Sequence, residues 1–178
     1  PTLWSCAQFW MERMIEDRGC PSLGILPDGS YVAPDEYSAE QNAHPKEDGT
    51  AHAQQLIYAL LRSVRQSVDI LGAKRVVLAR ADVEQLDRYL TRMDRGLHTE
   101  VYTANTRANG AWTNPRNGVH QGDTLLREWK YATYDVSDDP SHRHLSHLMA
   151  LYPLSDIGPR SPYFPAAVNS LRLRGDKA

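Results

Sequence analysis

The segment TAHAQQLIYALLRSVRQSVDILG, residues 50–72, carries the clearest helical pattern in the chain. Its apolar residues recur every three or four positions and so share one helix face: Leu56, Ile57, Leu60, Leu61, Val64, Val68 and Leu71. Thr50 is a suitable N-cap, and Gly72 is a suitable terminator. The sequence therefore predicts a long amphipathic helix here and, with it, a fold built on helices.

Other segments predict helices by the same spacing and capping criteria. They are Pro1–Asp17, a segment that begins at Asp82 with Gln85 as its capping-box partner, Ser141–Tyr152, and Ser161–Gly175. Strand signals are restricted to a short hairpin at Ile25–Ala33 and a strand at His98–Thr103. We therefore expect an all-α chain with little strand and with long loops at 19–49 and 94–140. Loops of this length in a compact domain commonly build functional sites.

Composition excludes several classes of function. The 178 residues suffice for one domain with a core, and 41% of them are hydrophobic, as in ordinary globular proteins. The net charge of -2 is spread over mixed acidic and basic residues without a basic run, which argues against nucleic-acid or membrane-surface binding. Two cysteines, Cys6 and Cys20, are too few for a disulfide framework and leave their pairing open. The 9 Tyr and 4 Trp against 2 Phe suit amphipathic partners such as sugars.

The stretch APDEYSAEQN, residues 33–42, is the first candidate for catalysis. It holds the carboxylates Asp35, Glu36 and Glu40 beside amide side chains. A carboxylic acid in a partly dry pocket can have a raised pKa and act as a proton donor. Most acidic loop residues are simply solvated, and the polar residues around Glu40 give it only a modest advantage.

The stretch LREWKYATYDVSDDPSHRHLSH, residues 126–147, is the second candidate. If its end is helical, His144 and His147 share a face, whereas His142 lies about 200° round from His144. The histidines permit three interpretations: a metal site, buried structural hydrogen bonding, or hydrogen bonding to sugar hydroxyls with Trp129 stacked on the ring. No HExxH or Cys-rich pattern supports the metal site, and the clustering of Trp, acid and His favours a sugar site. The chain also lacks GxSxG, P-loop and GxGxxG motifs, and neither cysteine has the local features of a nucleophile.

The same stretch, with its flanks, resembles glycoside hydrolase family 95, the inverting α-L-fucosidases. LREW, DDP, HRHLSHL and YP, followed by SLRLRGD, stand in the order typical of that family's catalytic domain. YSAEQN at 37–42 is similar to its S-P-E-N element, and GTAHAQQLIYALL at 49–61 is similar to its G-T-x-x-x-Q helix. AQFWMERMIED at 7–17 is similar to the helix before that element, so the resemblance covers nearly the whole chain.

The resemblance implies an (α/α)6 toroidal barrel and an exo-glycosidase for α-L-fucosides, such as 1,2-linked ones, or related L-galactosides. Glu40 would be the general acid. The substrate-binding residues would be His144, Trp129, Glu128, His142 and His147. No metal or cofactor is implied. The expected partners are a glycan substrate and the remaining segments of the catalytic domain, with no nucleic acid or membrane.

The sequence departs from the family pattern at two positions and lacks some of the family's motifs. Ala39 stands where the family usually has Pro, and Ala53 stands where an Asp is common. The asparagines and the Asp that activate water in the family would lie before Pro1 and after Ala178, so residues 1–178 are expected to be the central part of one catalytic domain, inactive alone. The resemblance also implies a secreted or periplasmic parent, although the chain carries no signal peptide. The alternatives are a non-catalytic carbohydrate-binding or scaffold domain and a metal-dependent hydrolase that uses His144 and His147.

Overall fold

A computed structural model of the chain describes residues 2–39, 46–71, 78–103, 118–133 and 142–175. Its helices in these ranges are α1 (Thr2–Arg13), α2 (Ala51–Leu71), α3 (Arg80–Arg92) and α4 (Phe164–Arg174). Its strands there are β1 (Ile15–Glu16), β2 (Tyr31–Val32), β3 (Thr99–Val101) and β4 (Thr124–Leu126). β1 pairs with β2 and β3 with β4, both antiparallel. The predicted helix-rich, strand-poor class is confirmed, whereas the barrel itself stays a prediction.

The first three helices enclose the main core of the described residues. α1 and α3 both pack on α2, and the core residues are Ala7, Met11, Met14, Ala33, Ala53, Ile57, Leu61, Val64, Leu86 and Met93. The predicted apolar stripe of α2 is only partly correct, because Leu56 and Leu71 are 39% and 45% exposed. Gln54 and Gln55 are buried instead. The buried face of α2 is therefore turned toward its glutamines, whose amides bind the backbones of neighbouring loops.

The predicted N-terminal boundaries need correction. α1 ends at Arg13 rather than Asp17, and Ile15–Glu16 forms a strand. This strand, and not Ile25–Leu26, pairs with Tyr31–Val32, so the hairpin predicted at Ile25–Ala33 is wrong. The reason is that the chain turns back after β1 and is held there by Asp17. The Asp17 carboxylate accepts the backbone N–H of Gly19 at 3.3 Å and of Asp28 at 2.9 Å.

The helix predicted at Ser141–Tyr152 is wrong over its described part. Residues 142–153 contain only a 3-10 turn at Ser146–Leu148. Two backbone groups that an α-helix would use are bonded to α2 instead, and the first is the Ala150 N–H, which donates to Gln55 Oε1 at 2.7 Å. Gln55 Nε2 in turn donates to the carbonyl of His147 at 3.0 Å. Ser141, where the helix was predicted to begin, lies outside the described residues.

The remaining predicted elements are closer to the structure. α3 begins at Arg80, two residues before the expected Asp82, whose carboxylate accepts the Ala79 N–H at 3.3 Å. The strand expected at His98–Thr103 is confirmed as β3, but its partner β4 was not predicted.

The last helix begins at Phe164, because Ser161 and Pro162 belong to the preceding turn. It packs on β4, where Ser170 Oγ accepts the Leu126 N–H at 2.9 Å. None of the described helices is long and apolar enough to cross a membrane.

Candidate functional site

Glu128 is the centre of the candidate site and is buried, with 1% of its surface exposed. One carboxylate oxygen, Oε1, accepts the hydroxyl of Ser38 at 2.8 Å. The other, Oε2, accepts Nη2 of Arg174 at 2.7 Å, and both ion-pair side chains are 0% exposed. A buried carboxylate needs such partners, because desolvation of an unpaired charge costs several kcal/mol. Glu128, two residues after β4, therefore connects the C-terminal end of α4 with the loop of residues 35–48, called the acidic loop below.

The acidic loop is closed at its base by a pair of backbone hydrogen bonds. Glu36 N–H donates to the Glu47 carbonyl at 3.1 Å, and Glu47 N–H donates to the Glu36 carbonyl at 3.0 Å. The Glu47 carboxylate also accepts the backbone N–H groups of Tyr131 at 2.7 Å and Ala132 at 3.2 Å. The predicted acid, Glu40, is within this loop but outside the described residues. The base of the loop is thus fastened, through Glu47, to the segment that follows β4.

The three predicted histidines have different environments. His147 is fully buried, its Nδ1 lies 4.0 Å from Glu128 Oε1, and burial and the charge of Arg174 hold its pKa well below the usual value. His142 and His144 are half-buried, and their ring centroids lie 5.1 Å apart. Burial, followed by the charge of Arg174, lowers the pKa of His142. Because the segment is not an α-helix, the prediction that His144 and His147 share a helix face is wrong.

Trp129 is 2% exposed, so the structure places the predicted stacking residue in the interior. Its neighbour Lys130 is also buried, and its Nζ lies 3.5 Å from Asp17 Oδ2, 2.9 Å from Asp28 Oδ2 and 3.2 Å from Asp94 Oδ2. Burial by itself lowers the pKa of Lys130, but the hydrogen bond and charge of Asp28 and the charge of Asp94 raise it above its usual value. These ion pairs hold the Lys130 side chain, and with it the residue that follows Trp129. Direct contact of Trp129 and Glu128 with a sugar stays a prediction.

Several contributors to the site escaped sequence analysis. His52, in the first turn of α2, is half-buried, and burial lowers its pKa against the opposing charges of Glu36 and Glu128. Ser38 and Arg174 were also missed as partners of Glu128. The available signal was the four-residue spacing of Ser170 and Arg174 in SLRLRGD, which puts both on one face of α4.

A metal centre receives no support from the part of the chain that the structure describes. Within it, no three His, Cys, Asp or Glu side chains are grouped so that they could hold a metal ion. The same region keeps Cys6 and Cys20 as free thiols.

The whole chain, residues 1–178, matches the family model described as the glycosyl hydrolase family 95 catalytic domain. The chain belongs to glycoside hydrolase family 95. It is 32% identical over 127 residues to a protein of Aspergillus oryzae named probable alpha-fucosidase A, a match that covers 70% of the chain and 14% of that protein. It is 28% identical over 155 residues to a protein of the same name from Aspergillus niger, which covers 86% of the chain and 15% of that protein. The chain thus spans about a seventh of the length of these relatives.

Two sequence motifs of the family 95 chain, far apart in sequence, contact each other in the structure. LREW provides Glu128, and SLRLRGD provides Arg174 and Ser170. Arg174 binds the Glu128 side chain, while Ser170 binds the backbone two residues earlier, at Leu126. These two motifs of the family 95 chain therefore form one buried unit, to which the acidic loop is attached through Ser38.

Proposed function

We propose that this chain forms the acid-bearing wall of an inverting exo-glycosidase for α-L-fucosides or related L-galactosides, with Glu40 as the general acid. Membership of a glycoside hydrolase family and the fucosidase names of the two Aspergillus relatives support this proposal. The observation that carries it is the buried hydrogen bond from Ser38, two residues before Glu40, to Glu128.

Chain geometry limits how far Glu40 can be from this anchor. Two peptide units separate Ser38 from Glu40, so their Cα atoms lie at most about 7 Å apart whatever the loop conformation. Ser38 is itself 2% exposed and bound to Glu128, beside His147. The proposal therefore puts the acid at the edge of the Glu128 site.

The buried and the half-buried residues receive different roles in this proposal. Glu128, Trp129 and His147 are almost fully buried, so their proposed role is to hold the sugar-contacting residues in place from the protein interior. His142 and His144 are half-buried and suit contact with a sugar. A lowered pKa leaves His142 neutral near pH 7, so that its imidazole can both donate and accept a hydrogen bond to hydroxyl groups. His144 is the proposed fucose-binding residue.

The proposed reaction uses Glu40 to protonate the glycosidic oxygen as the bond to the anomeric carbon breaks. Water attacks the opposite face of the sugar, and an inverting enzyme needs a second carboxylate about 6.5–9.5 Å from the acid to make room for it. We expect that carboxylate, an Asp, and its asparagine partners in other parts of the catalytic domain. Glycan substrates and a secreted or periplasmic location stay expectations of the family resemblance.

The test is Glu40→Gln in the full-length enzyme, with Asp35→Asn as control, since the Asp35 side chain in the same loop is 68% exposed. General acid catalysis contributes about 10²–10⁴-fold, and it matters most when the leaving group is a poor one. We expect kcat to fall about 10³-fold with a fucosyl disaccharide, and clearly less with an aryl fucoside whose leaving group needs little protonation. Equal loss with both substrates would refute Glu40 as the acid. Binding of fucosides without any turnover by the wild-type enzyme would support the non-catalytic alternative.

A further inference from the structure

A wide cavity of about 860 Å³ lies between the loop after α3 and the segment that leads into α4. The loop contributes Arg95 and Leu97 to its lining, and the segment contributes Asp156, Arg160 and Tyr163. The volume falls within the roughly 300–1,000 Å³ that is usual for small-molecule sites. The site described above uses none of these five residues, so the cavity has no role in it.

The charged residues in the described lining of this cavity are two arginines and one aspartate, and the aspartate already has a partner. Arg62 of α2 donates both of its Nη groups to the Asp156 carboxylate, Nη2 to Oδ2 at 3.3 Å. The Asp156 side chain is only 5% exposed, so Arg62 takes up its charge away from bulk solvent. In the part of the chain that the structure describes, Arg95 and Arg160 have no ion-pair partner. The cavity therefore carries two positive charges without a countercharge.

Arg95 is oriented by an aromatic ring of α2. Its guanidinium carbon lies 4.4 Å from the centre of the Tyr58 ring, within the range for a cation stacked on an aromatic face. The guanidinium carbon of Arg62 lies 5.6 Å from the centre of the same ring. Two cations thus share one ring, and only Arg62 has a carboxylate beside it. Because stacking leaves the N–H edge of a guanidinium available, Arg95 is suited to bind an oxyanion there.

The loop that carries Arg95 has a well-anchored backbone. The Gly96 N–H donates to Asp94 Oδ1 at 2.7 Å, and the Gly96 carbonyl accepts Gln55 Nε2 at 2.7 Å. The loop also lies directly against α2, since a Cβ at Gly96 would be 2.8 Å from the Cα of Ala51. An anchored loop loses little conformational entropy when a ligand binds, and this favours a binding site at Arg95.

The rest of the lining suits a ring better than a bare ion. Leu97 and Tyr163 are half-buried and offer apolar surface, and the volume far exceeds the need of an inorganic anion. The chain also belongs to a glycoside hydrolase family. We propose that this cavity binds a sugar that carries a sulfate or carboxylate group, with Arg95 and Arg160 binding the oxyanion. This site is separate from the proposed fucosidase site and does not depend on which residue is the acid.

The test is calorimetric titration of the full-length enzyme with glucose 6-sulfate and with glucuronate. We expect saturable binding of both, and at least tenfold weaker binding of glucose and of inorganic sulfate, which each lack half of the ligand. Arg95→Met and Arg160→Met should each weaken binding of the anionic sugars about tenfold, because each removes charge-assisted hydrogen bonds. Arg80→Met is the matched control, since its side chain is 93% exposed and does not line the cavity, and it should leave the affinities unchanged.

Three outcomes would overturn this inference. They are the absence of saturable binding, equal affinity for glucose 6-sulfate and glucose, and unchanged affinity in both cavity variants. Inorganic sulfate that binds as tightly as glucose 6-sulfate would show a free-anion site and also overturn the sugar-borne ligand. Arg160 is exposed, so Arg160→Met keeps the test decisive if Arg95→Met does not fold. Affinities are measured without turnover, so this inference and the proposed function can fail independently.

Discussion

Ser38 and Glu128 are 90 positions apart in the chain, yet the Ser38 hydroxyl donates a 2.8 Å hydrogen bond to Glu128 Oε1 in the interior. The other oxygen of the same carboxylate is held by Arg174. The bond therefore connects the loop that carries Glu40 to a buried ion pair.

Ser38→Ala in the full-length enzyme should loosen the acidic loop. A hydrogen bond to a charged group contributes about 1.5–3 kcal/mol, so we expect a stability loss of about this size and a fall in kcat of about tenfold. The fall should be larger for poor leaving groups, because the misplaced group is the acid. Thermal unfolding and kcat for the two substrates measure these effects. A loss of stability with unchanged leaving-group dependence would show that Ser38 does not position the acid.

Arg174→Met should destabilise the chain by about 3–5 kcal/mol, because it leaves the Glu128 carboxylate buried without its countercharge. Adding Glu128→Met should restore part of that loss, so that the double variant is more stable than the sum of the single effects. The measurement is equilibrium urea unfolding. Arg80→Met is the control, because the Arg80–Glu84 pair has the same 2.7 Å separation but side chains 93% and 59% exposed. Its effect should stay within about 1 kcal/mol, and an equal effect of both changes would contradict the prediction.

Gly96→Ala should be far more harmful than Gly24→Ala, although both glycines have positive φ, at 64° and 68°. A Cβ on Gly96 would lie 2.8 Å from the Cα and the carbonyl oxygen of Ala51, whereas a Cβ on Gly24 meets nothing within 4 Å. Backbone strain of about 1–2 kcal/mol applies to both variants. The clash should add about 1–3 kcal/mol at Gly96 alone, as measured by urea unfolding. Similar losses in the two variants would mean that α2 can move away from the loop.

Stability should fall as the pH drops below about 6.5, and His147 should be a main cause. Its folded-state pKa lies well below the unfolded value, so the unfolded chain binds the extra proton first. The stabilisation is complete above the unfolded pKa and is lost as the pH falls toward the folded one, at up to about 1.4 kcal/mol per pH unit. The lowered pKa values of His52 and His142 act in the same direction.

Urea unfolding at pH 7.5 and 5.5 checks this prediction. His147→Gln should lose less stability between the two pH values than the wild type. His120→Gln, at a histidine whose side chain is 66% exposed, should behave like the wild type. An identical pH dependence in all three proteins would exclude His147 as a source.

The sequence by itself determined the family and the helical class. The period of residues 50–72 predicted α2 almost to the residue, because a long run at one spacing outweighs local exceptions. The motifs LREW, HRHLSHL and SLRLRGD identified the family, since their order and spacing are a property of the chain alone. Sequence also singled out Glu128 and the histidines as residues of interest.

Tertiary structure decided how those residues are used. Residues 142–153 have helix-forming residues, but bonds from Gln55 to the backbone at 147 and 150 replace those of a helix. Glu128 and Trp129 were predicted to contact a sugar, yet both are almost fully buried, and Glu128 is paired with Arg174 at the end of α4. No local pattern encodes that Ser38 and Arg174 bind one carboxylate, because long-range contacts depend on the packing of whole elements. The sequence identified candidate residues of the site, and the packing decided which of them are buried and which are accessible to a ligand.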